Sequence, residues 1–296
     1  MSDVTTLTRK APAKINLYLE VSAKRADGYH DIESVMQTVT LFDTITLTVR
    51  VPDGCGIVIK CGVEGVPLDA RNLVYRAAML FFERVGVTDR DVTFSIEKHI
   101  PMAAGLGGGS SDAATALLLL DEAYESALTE DELCALGAKI GADIPFLIKQ
   151  GISVTRGIGD KFLACEHMPE CHIVLACEGA GISTPWAYGK LDEMYDFTAR
   201  DVSTDKFTDA LSGGDISLIA GQMTNIFESV VLPEHEGARK IKRMLEENGA
   251  VKTLMSGSGP AVFGIFTDES TAAAAAGALA IQGIRAFLTK PYYPAK

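Results

Sequence analysis

The segment Pro101-Met102-Ala103-Ala104-Gly105-Leu106-Gly107-Gly108-Gly109-Ser110-Ser111 constrains the fold more than any other part of the chain. Upstream, residues 91–100 alternate, with Val92, Phe94 and Ile96 on one face, the period-two mark of a strand that stops at Pro101. Downstream, the apolar run DAATALLLLDEAY predicts a helix beginning near Ser110 or Ser111. Glycine adopts backbone angles that other residues avoid and lets a ligand approach the main chain closely. A helix N-terminus offers unpaired N–H groups and partial positive charge, which suit an anion. The hydroxyls of Ser110 and Ser111 are able to donate to phosphate or to ligate Mg²⁺. The segment is not a Walker A loop, since no Gly-Lys-Ser/Thr is present, and Ser110 stands where a dinucleotide fingerprint needs its third glycine or alanine. A tight strand–helix turn without a ligand is the plain alternative; four glycines and two serines at a helix start favour phosphate.

Other segments order themselves around this loop. Residues 11–21 alternate strictly: Ile15, Leu17, Leu19 and Val21 share one face, Lys14, Asn16, Tyr18 and Glu20 the other. Residues 44–51 read as a second strand, 52–54 as a turn, 57–60 as a short strand and 70–86 as a helix. Thr129 and Glu132 form a capping box that opens another helix, and 141–145 ends it, because Pro145 disfavours helix at Ile144. Residues 151–160 read as strand plus turn, and a soft boundary there divides the chain into 1–160 and 161–296. The second part predicts a strand at 172–177, helices over 215–230 and 234–247, strands at 251–255 and 261–266 around a glycine turn, a helix at 270–280 and a strand at 284–289. By itself that order suggests a parallel α/β sheet.

Composition excludes several functions. With 27 basic and 39 acidic residues among 296, the formal charge is −12. Phosphate backbones demand a basic face, so a general nucleic-acid binder is disfavoured, as is docking on an anionic membrane. The N-terminus carries Arg9, Lys10 and Lys14 where a signal peptide has its apolar region, so no targeting segment is expected. The longest uncharged runs, 253–267 and 270–284, are broken by glycines and fall short of the ~20 apolar residues of a membrane span. Cysteines 55, 61, 134, 165, 171 and 177 form no CxxC pair. His167 and His172 near Cys165 and Cys171 leave room for a small metal site, but the spacing fits no zinc pattern. Buried thiols in a reduced, cytoplasmic compartment are the expectation.

Four further constellations carry potential chemistry. Lys14 and Asn16 share one strand face, which periodicity alone reads as solvated. Asp143, in GADIP, reads locally as a turn cap. The turn DGYH, residues 27–30, would present Tyr29 and His30 together, one able to stack on a flat ring and the other to donate or accept near neutral pH. LMSGSGPAVFGIF, 254–266, reads as a small-residue hairpin.

Together these pieces resemble one family. PMAAGLGGGSSDAAT resembles the glycine/serine motif of the GHMP small-molecule kinases, APAKINLYLEV their N-terminal motif and SGSGPAVFGIF their C-terminal one, in the same order and spacing over nearly the whole chain. DGYH, GADIPF and RGIGD are similar to the branch of that family whose acceptor is CDP-methylerythritol, a substrate of the non-mevalonate isoprenoid pathway. The resemblance implies transfer of the γ-phosphoryl group of ATP to the 2-hydroxyl of that substrate, assisted by Mg²⁺. It implies Asp143 as general base and Lys14 as its catalytic partner. The loop residues 101–111 would hold ATP, with Lys98, Asn72 and Leu73 bordering the adenine and Ser110 or Ser111 contacting the metal. Asn16, Tyr29 and His30 would face the substrate, His30 reading the cytosine edge. Tyr188 would stack on the opposite side of the base, with Trp186 competing for that place. The implied fold is α+β in two lobes, the first like a ribosomal-protein S5 domain, the second ferredoxin-like. Two rivals remain: a kinase of homoserine or mevalonate, against which DGYH and GADIPF speak, and a nucleotide-binding sensor without catalysis, against which Lys14 and Asp143 speak.

Overall fold

A computed structural model describes residues 4–50, 56–179, 181–197 and 202–294. In chain order the elements are β1 (Thr5–Lys24), β2 (His30–Val49), β3 (Gly56–Cys61), α1 (Leu73–Val85), β4 (Asp91–Glu97), α2 (Gly108–Ala123), α3 (Glu130–Ala138) and α4 (Asp143–Lys149). There follow β5 (Ile152–Gly157), β6 (Lys161–Leu163), β7 (His172–Cys177), α5 (Thr184–Met194), α6 (Asp205–Gly213), α7 (Ile216–Gln222), β8 (Thr224–Asn225) and α8 (Glu228–Val231). The chain closes with α9 (Glu236–Glu247), β9 (Lys252–Met255), β10 (Val262–Phe266), α10 (Glu269–Ile281) and β11 (Arg285–Thr289). The turn expected at 52–54, and Cys55, lie outside the described residues.

Two compact units result. The first comprises Met1–Ala13, Leu41–Ile100 and Gly107–Gln150; the second Lys14–Thr40, Pro101–Leu106 and Gly151–Lys296. Both are discontinuous in sequence: β1 and β2 each contribute residues to both, and Pro101–Leu106 belongs to the second.

In the first unit β2 pairs antiparallel with β4 (Ile45 opposite Ile96, Leu47 opposite Phe94), and β3 runs parallel to β4. Helix α1 starts where the Asn72 side chain accepts the Val74 N–H and ends on Gly86, left-handed at φ 74°. The capping box of Thr129 and Glu132 forms as expected at α3. Helix α2 packs against α1 and α4, and its residues Ser111–Leu117, Leu119 and Leu120 are buried.

In the second unit β7, α9, β9, β10, α10 and β11 form a ferredoxin-like layer. Its sheet order is β11-β7-β10-β9, with every neighbour antiparallel. The parallel sheet suggested by strand order alone does not form: β7 and β9, joined through helices, are separated by β10. Val174, Ala176, Val262 and Phe266 of this sheet share a core with Ile241 and Leu245 of α9 and Leu279 of α10. The end of β1 pairs in parallel with β8 (Tyr18 opposite Thr224), and β2 pairs with β5 (Val35 opposite Val154).

Other expectations shift. The helix over 215–230 is instead α7, β8 and α8, because Thr224 and Asn225 are drawn out to pair with β1. Pro145 does not stop a helix. Helix α3 closes at Ala138, and Pro145 sits in the first turn of α4, where its missing N–H has no intrahelical partner to lose. Helix α2 begins at Gly108 rather than at Ser110 or Ser111, with Gly107 as a left-handed N-cap at φ 68°.

Candidate active site

Alternation along β1 puts Lys14 and Asn16 on one face, and that face is covered rather than solvated: each residue is 4% exposed. A buried ammonium needs partners. Lys14 Nζ donates to Asn16 Oδ1 at 2.7 Å, Asn16 Nδ2 donates to Ser34 Oγ at 2.9 Å, and Ser34 Oγ donates to the Tyr18 carbonyl at 2.7 Å. The chain of bonds aims Lys14 and leaves Asn16 as its holder. Ser34 carries no motif signal in the sequence and was missed.

The front of the glycine loop belongs to the same unit. Leu106 is buried and its carbonyl accepts the Lys14 backbone N–H at 2.9 Å, while the Ala104 carbonyl accepts the Ala261 N–H at 3.2 Å. Met102 and Ala103 form an exposed tip, Ala103 at φ 50°. Gly105, at φ 79°, lies so near the turn between β9 and β10 that a Cβ there would sit 2.0 Å from the Ser256 carbonyl oxygen. Ser256 Oγ donates to the Gly105 carbonyl at 2.9 Å. A Cβ on Gly257 would lie 3.4 Å from Lys14 Nζ. The small-residue hairpin is therefore a seat for the glycine loop and for Lys14. Asn225, also missed, secures it by donating to the carbonyls of Met255 (2.7 Å) and Gly257 (2.8 Å).

The rear of the loop, in the first unit, runs into α2. Ser110 is half-buried, and a Cβ on Gly141 would lie 3.9 Å from its Oγ. Ser111 is fully buried and donates to the Pro12 carbonyl at 2.7 Å. The ammonium of Lys98 turns inward, paired with Asp43 and with Asp112 (2.8 Å), under Gly108, whose Cβ would lie 3.2 Å from Nζ. Asp43 also accepts the N–H groups of His99 (2.6 Å) and Ile100 (2.9 Å). Burial pulls the Lys98 ammonium down, but the two carboxylates outweigh it and leave its pKa raised. Burial likewise pushes the Asp112 carboxyl up, to about 7, against the opposing charge of Lys98. Asn72 spends its side chain on capping α1 and on the Pro67 carbonyl. A cavity of about 400 Å³ opens beside β3 and β4, lined among others by Lys60, Leu68, Ile96 and Glu97; Asn72, Leu73 and Lys98 do not line it. Asp143 occupies the first turn of α4, half-buried.

Tyr29 and His30 differ in exposure. Gly28, at φ 88°, closes the turn, and the strand that follows sends adjacent side chains to opposite faces. Tyr29 is 63% exposed and His30 is buried. The His30 ring stacks on Tyr188 (centroids 4.9 Å apart, planes at 24°), and Nε2 lies 2.7 Å from Asp192 Oδ1. Tyr188, not Trp186, is thus the aromatic that α5 brings to His30.

Comparison with known proteins fits this geometry. Residues 72–151 match the model for the N-terminal domain of GHMP kinases, and residues 207–285 that for their C-terminal domain. The chain is 42% identical over 262 residues to the 4-diphosphocytidyl-2-C-methyl-D-erythritol kinase of Lachnospira eligens, covering 88% of this chain and 89% of that one. It is 42% identical over 261 residues to the enzyme of the same description from Clostridium novyi, covering 88% and 90%. The chain belongs to the GHMP kinase family.

Within that family, a crystal structure of a 4-(cytidine 5'-diphospho)-2C-methyl-D-erythritol kinase matches with a TM-score of 0.80 at 32% identity, over 97% of this chain and 100% of the other. A mevalonate kinase from L. major shares the fold alone, with a TM-score of 0.75 at 16% identity over 99% and 98% of the two chains. The two-lobed α+β class holds for this GHMP kinase. Among the described residues, no three His, Cys, Asp or Glu side chains gather closely enough to hold a metal ion. His167 instead stacks on Tyr293 at 4.0 Å, and burial pushes the thiols of Cys165 and Cys171 up, to about 11 and about 12. No helix among the described residues is long and apolar enough to cross a membrane.

Proposed function

We propose that this GHMP kinase transfers the γ-phosphoryl group of ATP to the 2-hydroxyl of 4-diphosphocytidyl-2-C-methyl-D-erythritol, releasing ADP, in the cytoplasm. The observation that carries the reading is the buried ammonium of Lys14, aimed by Asn16 and held beside the glycine loop and its seat. Its relatives bear the same activity in their names, at 42% identity over most of the chain.

The acceptor is a tertiary alcohol, a weak nucleophile, so its proton must leave as attack proceeds. Asp143 takes that proton. Lys14 stabilises the ionised carboxylate and offsets negative charge developing on the phosphoryl oxygens. Residues 101–111 hold the phosphates in line with the hydroxyl, through backbone N–H groups and the start of α2; positioning supplies most of the catalysis in phosphoryl transfer. The adenine goes to the cavity beside β3 and β4. Asn72 and Lys98 act indirectly on ATP, the first by starting α1, the second by propping Gly108.

Mg²⁺ fits the residues present. It is held typically by one or two protein groups together with substrate phosphates, not by an all-protein cage. Ser110 is the residue that would hold it, since the Ser111 hydroxyl is buried and spent on Pro12. The metal supplies neutralisation of phosphate charge. Asn16, Tyr29, His30 and Tyr188 serve the substrate. The sequence modules 1–160 and 161–296 correspond to nucleotide binding and to completion of the substrate site. A substrate panel under ATP and Mg²⁺ tests the reading: turnover of the cytidine substrate is expected, and turnover of mevalonate or homoserine in its place would overturn it.

A further inference from the structure

Helix α5 brings two groups, not one, to His30. Tyr188 and Asp192 are four residues apart and therefore share a helix face. The tyrosine ring covers the flat of the imidazole, and the carboxylate takes its Nε2 edge at 2.7 Å. Phe197 closes the ring from the side, with centroids 5.5 Å apart and planes at 75°. The second oxygen of Asp192 pairs with the ammonium of Lys24. Burial pushes the Asp192 carboxyl up, but the contacts with Lys24 and His30 outweigh it and hold its pKa below the usual value. The carboxylate is thus ionised, anchored at one oxygen and pointed at His30 with the other. Among the described residues, His30 Nδ1 makes no hydrogen bond.

We propose that Asp192 is a positioning residue that fixes the His30 proton on Nε2 and so makes the pocket select cytosine over uracil. The inference rests on the proposed role of His30 as reader of the base. The hydrogen bond at one imidazole nitrogen decides what the other presents. With the proton on Nε2, donated to Asp192, a neutral ring presents a lone pair at Nδ1. Cytosine meets it with its 4-amino group, a donor; uracil meets it with a carbonyl oxygen, so that two lone pairs oppose each other. A site that hydrogen-bonds one substrate rejects an analogue that leaves its polar groups unpaired. Without the carboxylate the ring is free to move its proton to Nδ1, and the uracil carbonyl then finds a donor. Lys24 acts one step further out, by stopping Asp192 from turning away.

The test compares the CDP-linked substrate with its UDP-linked counterpart in wild type, Asp192→Asn, Asp192→Glu and His30→Ala. Asp192→Asn is expected to reduce the cytosine-to-uracil ratio of kcat/KM by roughly tenfold or more, through KM for the nucleotide-linked substrate and not through KM for ATP. Asp192→Glu restores part of the ratio. ¹⁵N NMR of the histidine rings, with His30 assigned by its loss in His30→Ala, reads the neutral form directly: Nε2–H in the wild type, a tautomer mixture in Asp192→Asn. A wild-type His30 protonated on Nδ1, or an unchanged ratio in Asp192→Asn alongside a lost ratio in His30→Ala, overturns the role of Asp192 alone. An unchanged ratio in His30→Ala overturns the reading of His30 as well.

Discussion

Replacing Gly105 by alanine tests how the glycine loop is built. The new Cβ would meet the Ser256 carbonyl oxygen at 2.0 Å, the carbonyl carbon at 3.0 Å and the Gly259 nitrogen at 3.1 Å. All three are backbone atoms, so no side chain can swing aside. Relief requires loop and turn to part by about 1 Å, since non-bonded heavy atoms attract best at ~3.5–4.0 Å and repel well inside that. The φ of 79° adds the left-handed penalty, about 1–2 kcal/mol for a residue with a Cβ. Overpacking adds about 1–3 kcal/mol. Displacement of about 1 Å in a phosphate-positioning loop costs on the order of 10² in rate. Gly105→Ala should therefore lower kcat/KM for ATP roughly 100-fold and reduce the unfolding free energy by about 2–5 kcal/mol. Coupled ADP release and urea unfolding measure the two. Gly277→Ala, in α10 with nothing within 4 Å of the added carbon, is the control, expected to gain about 0.5–1 kcal/mol without loss of activity. A Gly105→Ala enzyme within threefold of wild type would refute the close approach of loop and hairpin.

Asp143→Asn should keep ATP affinity, measured by calorimetry, and lower kcat by about 10²–10⁴, the usual worth of a general base; near-normal kcat would remove Asp143 from that role. Asp268 caps α10 by accepting the Thr271 N–H, which holds its carboxyl at about 2, below the ordinary 3.8. A depressed carboxylate contributes stability that is present above 3.8 and lost as pH falls through about 2. Asp268→Ala should then melt lower than wild type at neutral pH, with the gap closing between pH 4 and 2; a gap that does not depend on pH would mean that charge plays no part in the cap.

The legible parts of this chain were those with local physics. The strand alternation from Asp91, which stops at Glu97 rather than at Pro101, the glycine run and the apolar helix after it, and the Thr129–Glu132 box each act within a few residues, and each forms. Alternation also put Lys14 and Asn16 on one face. It could not say what covers that face, which is why burial came as a correction. The turn hid where β2 starts: His30 is its first residue and is buried, while Tyr29 lies before it and is exposed. Residues 30–43 escaped as strand because β2 is buried on both sides from Val35 to Val39, erasing the alternation. Ser34, Asp192 and Asn225 had no local signal. Their partners lie 16, 162 and 30 residues away, so only the folded chain brings them to the site.

The central claim is the chemical outcome. Purified enzyme, given ATP, Mg²⁺ and 4-diphosphocytidyl-2-C-methyl-D-erythritol, is to be followed by ³¹P NMR. The account predicts one ADP per product and a new phosphomonoester on the 2-oxygen, with the diphosphate bridge intact. ADP formed without that phosphomonoester, or phosphate attached at another hydroxyl, would contradict it.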